Sequence, residues 1–155
     1  MDYVTLKWLH VLSSTILFGT GIGTAFYLYF ASRSGSVQAV AFVSRWVVVA
    51  DTLFTATTAI FQPVSGWYLA KIAGLSLGTA WIAWSIALYV LAGACWLPVV
   101  WIQIRMRDLA VAAAARGEPL PRAYFGLFRV WTILGMPAFA AFIAIFWLMI
   151  AKPAG

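Results

Sequence analysis

Charge of either sign is scarce in this chain, and so are the side chains that carry most soluble-enzyme chemistry. It holds four acidic residues, one histidine and one cysteine. A single cysteine excludes an internal disulfide and a thiolate cluster within one chain. Cys95 itself lies in an apolar run and reads as a small core residue. A single histidine excludes a multi-histidine metal site and a pair of bis-histidine haems. No P-loop, GxGxxG turn, HExxH, CxxC or G-x-S-x-G occurs. A nucleotide enzyme or a soluble-type hydrolase is therefore not expected.

What the chain has instead is hydrocarbon. Hydrophobic residues make up 65% of its 155 residues and charged ones 9%, against about 45–50% and about 25% in soluble domains. Such a composition cannot keep a soluble surface, so the lipid bilayer is its expected solvent. Apolar runs cover 4–30, 46–69, 79–104 and 130–150. Each is longer than the roughly 20 residues needed to cross ~30 Å of hydrocarbon. None alternates over about ten residues, so they are not barrel strands. The first run is too long for a signal-peptide core and is read as a permanent span. The expected fold is all-α, a membrane-spanning four-helix bundle in a single transmembrane domain over 1–155.

The gaps supply stops, starts and direction. Gly35 reads as a C-cap for helix 1 and Ser36 as an N-cap for helix 2. Helix 3 is expected to run on through Arg105 and Arg107 and to stop at Gly117, before Pro119 and Pro121. Tyr124, Phe125 and Phe128 read as an interfacial lead-in to helix 4. Arg33 and Arg45 flank the first gap, and Arg105, Arg107, Arg116, Arg122 and Arg129 the third; the other side has only Lys7, Lys71 and Lys152. The positive-inside rule puts loops 31–45 and 105–129 in the cytoplasm and both termini in the periplasm of a bacterial inner (plasma) membrane. Trp67, Tyr68, Trp81, Trp84 and Trp147 then form an outer aromatic belt. The net charge of +6 is accounted for by topology and anionic headgroups, not by nucleic acid. Gly19 and Gly23 have the spacing that lets a neighbouring helix approach. Pro63, Pro98 and Pro137 each remove one backbone hydrogen bond inside a span.

Polar residues at membrane depth each need a reason. In helix 1, His10, Ser13, Ser14, Leu17, Gly21 and Thr24 share a face. His10 is either bonded to a neighbouring group or a cofactor ligand. In helix 2, Ser44, Asp51, Thr55, Thr58, Gln62 and Ser65 recur at steps of three, four or seven residues. That seam is expected to face the bundle interior, as a pocket wall or as interhelical hydrogen bonding. Pro63 frees the carbonyl of Ala59 and adds an acceptor to it. Asp51 is expected to form an inner-leaflet ion pair with Arg45, Arg105 or Arg129, with a proton-relay role as the alternative. At the depth of His10 the candidates for company are Gln62, Ser65, Trp84, Ser85 and Phe142 or Ile143. Met136 is a conceivable second haem ligand and more commonly a gap-filler.

Lys7-Trp8-Leu9-His10-Val11-Leu12-Ser13, Phe61-Gln62-Pro63-Val64-Ser65-Gly66 and Trp101-Ile102-Gln103-Ile104-Arg105-Met106-Arg107-Asp108 resemble a bacterial family of small four-helix integral membrane proteins, a domain of unknown function. The resemblance covers essentially the whole chain and implies its topology. More remotely, the leucine-histidine at the start of span 1 is similar to the openings of HemJ-type protoporphyrinogen oxidases and of CopD copper-resistance membrane proteins. In the HemJ-type enzymes a helix-1 histidine is tied to b-haem. Only His10 carries over, since their further lysine- and histidine-containing motifs have no counterpart here.

Three functions are consistent with these residues. The first is a redox module holding haem b or a quinone between the polar faces of helices 1 and 2. There His10 would be the ligand to haem iron or a hydrogen-bonding group, Ser13, Ser14, Gln62 and Ser65 would line the site, and aromatics of helix 3 would wall it. The second is a small oligomeric transporter using the Asp51, Thr55, Thr58 seam, which four spans require to be a homo-oligomer. The third is a non-catalytic partner in a membrane complex, docked through its basic loops.

Overall fold

The fold is that of a computed structural model describing residues 2–153. Four helices account for most of it: α1 (Tyr3–Arg33), α2 (Val37–Ile72), α3 (Ala80–Arg116) and α4 (Arg122–Ala151). Each is long and apolar enough to cross a membrane, and no strand occurs among the described residues. α1 packs along α2, the first half of α2 packs on α3, and α3 packs on α4.

Local chemistry sets the helix ends. The Asp2 carboxylate caps α1, accepting the Thr5 N–H at 2.9 Å and the Thr5 hydroxyl at 2.7 Å. Those two bonds hold the Asp2 carboxyl below the usual carboxylate range. A depressed value means the cap is fully present above the ordinary carboxylate pKa and is lost as pH falls through the lowered one. Amide exchange at Thr5 is therefore expected to speed up on acidification, beyond the intrinsic trend, and Asp2→Asn is expected to remove that pH dependence. The Ser36 hydroxyl caps α2 by accepting the Ala39 N–H at 3.2 Å, and Gly35 turns the chain with φ +76°. Gly117, at φ +67°, ends α3 in the left-handed cap that glycine adopts at no steric cost.

Three features differ from the sequence expectation. α2 is interrupted by a π-helical segment at Asp51–Thr55. Tyr124, Phe125 and Phe128 lie inside α4, which is helical from Arg122, ahead of the run expected from 130. Nor does a neighbouring helix approach Gly19 and Gly23: a Cβ on either would meet nothing within 4 Å.

The 37 residues of α3 span about 55 Å at 1.5 Å each, against ~30 Å of hydrocarbon. Part of the bundle must therefore stand in water, and the tightest packing lies at the end bearing the 33–37 and 116–122 connections. Met106, Ala110 and Tyr124 are fully buried there, packed with Leu28, Val40 and Ile102. The opposite end, near the termini, turns Trp8, Trp67, Trp84 and Trp147 outward. Lipid gives apolar helix faces no reason to cluster. Contacts there are instead polar pairs and the ring of Phe18 from α1, which stacks on Phe139, tilts against Phe142 and meets Phe146 edge-on in α4.

Candidate functional site

The polar seam of α2 faces inward along its whole length. Ser44, Asp51, Thr55, Thr58, Gln62 and Ser65 are all buried. Most of its hydroxyls bond their own helix: Thr58 reaches the carbonyls of Phe54 and Thr55, and Ser44 that of Ala41. Two places along the seam do more than that.

The first is at His10. The His10 Nδ1 lies 2.7 Å from the Ser65 hydroxyl oxygen. That hydroxyl also lies 2.7 Å from the Phe61 carbonyl oxygen and 3.2 Å from that of Gln62. A ring proton on Nδ1 would be donated to Ser65, whereas a Ser65 proton turned to Nδ1 would leave the ring proton on Nε2. Nε2 is left with no hydrogen-bond partner among the described residues. A second clamp holds the backbone, as the Gln62 side-chain N–H donates to the His10 carbonyl at 2.9 Å. Gly66 leaves room for the ring; a Cβ there would stand 3.4 Å from the His10 Cε1. One turn along α1 the Ser13 hydroxyl oxygen is buried with no partner.

The structure thus brings His10, Gln62 and Ser65 together, with Ser13 adjacent. Ser14 does not join them, because its hydroxyl bonds the Val11 carbonyl of its own helix. The polar faces of α1 and α2 meet directly here, so no macrocycle fits between them. Trp84 is 64% exposed and points away, so it does not wall the site, and Met136, at 69%, faces outward and cannot ligate opposite His10.

The second place is the π segment. Asp51 makes no ion pair: the pairs among the described residues are Arg107–Asp108 and Arg116–Glu118. Arg45, Arg105 and Arg129 are exposed. Arg45 sits six residues from Asp51, about 9 Å along the helix, and long cationic side chains turn toward water rather than into the bundle. The hydrogen-bond partner of Asp51 is neutral. It accepts the Thr55 hydroxyl at 3.0 Å, and the buried Gln103 of α3 lines the same small cavity.

These contacts sit in a chain whose residues 4–153 match the family described as "predicted integral membrane protein (DUF2269)". The chain belongs to that family. No curated protein and no solved structure matches it. Membership of DUF2269 makes it an integral membrane protein whose four helices contact lipid. The likeness of its opening to HemJ-type and CopD-type proteins rests on His10 alone.

Gln103 is an amide inside an apolar run, a signal of the same kind as Gln62. Tyr89 carries no distinguishing mark among the 17% aromatic residues. Tyr89 proves to donate its hydroxyl to the Ala59 carbonyl at 2.6 Å, the acceptor that Pro63 sets free.

Proposed function

We propose that the protein is a redox-cofactor module of the membrane, binding a quinol headgroup or haem b at His10. The observation that carries this reading is the anchored ring. An imidazole held at Nδ1 by the Ser65 hydroxyl, with an unpaired Nε2 at membrane depth, has the arrangement of an oriented ligand histidine. With the ring proton on Nδ1, Nε2 accepts a quinol hydroxyl proton or binds iron. The buried Ser13 hydroxyl supplies a second polar contact. Since α1 and α2 touch at this level, the cofactor lies on the flank of His10. A quinol can reach that flank from the bilayer. Haem b would need a second copy of the chain to enclose it, making a homo-oligomer part of the haem reading. The excess of arginines at the loop end supports an inner-membrane orientation with both termini periplasmic, which places His10 toward the periplasmic side.

The test is an absorption spectrum of the detergent-purified, haem-replete protein, with a parallel titration by a short-chain quinol. His10→Ala is expected to abolish the Soret band or to remove quinol binding. Ser65→Ala is expected to weaken either by about 10–100-fold, the usual effect of freeing a ligand histidine from its orienting partner. A colourless protein whose quinol affinity is the same with and without His10 would end this proposal.

A further inference from the structure

The cations at the two ends of the bundle are held differently. At the terminal end, Lys7 lies over the Tyr3 ring at 5.9 Å, Lys71 over Trp67 at 5.2 Å and Lys152 over Trp81 at 5.7 Å. Each of these ammonium groups already has an aromatic face as its partner. At the loop end, Arg33 lies over the Tyr29 ring at 5.6 Å, and Arg107 and Arg116 pair with Asp108 and Glu118. Arg45, Arg105 and Arg129 are exposed. Among the described residues no carboxylate and no ring holds any of the three.

These three arginines come from three helices and share one depth. Counted along α2, α3 and α4 from Lys71, Trp81 and Lys152, they stand about 35–39 Å away at ~1.5 Å per residue. That is past the ~30 Å of hydrocarbon and within the ~40–45 Å that includes the headgroups. One helical turn toward the membrane centre, each has an exposed apolar side chain: Val49 below Arg45, Trp101 below Arg105 and Ile133 below Arg129. Residues four apart share a helix face, so a charge stands over apolar surface three times.

The occupant has to match that order. An inorganic anion would meet the guanidinium and leave the apolar side chain unused. An acidic protein segment would have to reach arginines on α2, α3 and α4 at headgroup depth, among lipid. A phospholipid carries its phosphate above its acyl chains, as the sites require. A zwitterionic headgroup brings its own cation beside the phosphate, whereas an anionic one leaves the guanidinium as counter-charge.

We propose that Arg45, Arg105 and Arg129 form a set of sites for anionic phospholipids at the loop end, each guanidinium taking a lipid phosphate while an acyl chain lies along Val49, Trp101 or Ile133. Arginine suits the task, since its planar fork matches phosphate and its charge is permanent. Arg122 is an internal control. It is exposed and makes no ion pair, but the residue one turn below it is Gly126. It also stands about 10 Å further into water than Arg129.

The experiment is electron spin resonance of the full-length protein in phosphatidylcholine vesicles carrying a trace of chain-spin-labelled phosphatidylglycerol. The motionally restricted fraction, compared with that of spin-labelled phosphatidylcholine, gives the relative association constant. A preference for phosphatidylglycerol of about two- to fivefold is expected at low salt. Arg45→Gln/Arg105→Gln/Arg129→Gln should bring the ratio near one, the matching triple Lys variant should keep most of it, and Arg122→Gln should keep all of it. Circular dichroism checks that each variant stays helical, and the single Gln variants, each expected to lose part of the preference, serve if the triple variant does not fold. Four results would overturn the proposal: folded Gln variants, single and triple, with the wild-type ratio; a loss in Arg122→Gln as large as in the triple variant, which would leave charge alone as the attraction; displacement of the labelled lipid by inorganic phosphate at constant ionic strength, which would make the ligand a free anion; or polyglutamate binding that needs the three arginines while the lipid preference does not, which would make the partner an acidic protein. His10 and its cofactor enter none of these readouts.

Discussion

Tyr124→Ala is expected to destabilise the protein by about 3–5 kcal/mol, the range for emptying a buried aromatic site. Tyr124 is fully buried. Its ring stacks on Phe128 and meets Phe125 edge-on, and its hydroxyl lies 2.6 Å from the Ser32 hydroxyl. This is the end of the bundle that the long helices carry beyond the hydrocarbon, so removing the ring loses both packing and true hydrophobic burial. Tyr124→Phe should cost only about 1 kcal/mol, because Ser32 keeps the Leu28 carbonyl as a partner at 2.7 Å. Trp84→Ala, a larger truncation at a side chain 64% exposed to lipid, should stay near neutral. Denaturant unfolding in detergent micelles, followed by circular dichroism, measures all three. If Tyr124→Ala fell no further than Trp84→Ala, the idea of a water-side core at the loop end would be wrong.

That core explains which parts of the fold were legible in sequence. Helix number and the caps at Ser36 and Gly117 follow from rules that need only near neighbours along the chain. So does the inward face of the α2 seam, because six polar residues at helical spacing in an apolar run have only one favourable direction to point. Partners are another matter. Asp51 looked like half of an ion pair because the arginines are near in sequence. The deciding quantity is their freedom to reach water, together with a π turn that no composition announces. Gly19 and Gly23 show the converse: spacing permits a close approach, but it takes a neighbour to use it, and α2 crosses elsewhere. At the candidate site, Gln62 and Ser65 were readable as companions of His10 by depth. The contact that anchors the imidazole at Nδ1 needed atomic distances.

Pro63 and Tyr89 were unrelated in sequence terms and are coupled in space, and the coupling can be measured. Proline at 63 deprives the Ala59 carbonyl of its N–H partner one turn earlier. The Tyr89 hydroxyl of α3 takes that carbonyl at 2.6 Å, so an irregularity in α2 becomes a link between two helices. Tyr89→Phe keeps the ring, which meets Phe142 edge-on, and strands the carbonyl away from water. A loss of about 1–2 kcal/mol is expected, in the upper part of the range for interhelical hydrogen bonds in membranes. Pro63→Ala restores the N–H, so Ala59 no longer depends on Tyr89. In that background Tyr89→Phe should cost close to nothing, and the double-mutant cycle should return a coupling energy nearly as large as the single-variant loss. Strict additivity would mean that the carbonyl finds another donor when Tyr89 is removed, and that the proline is tolerated for reasons unconnected with α3.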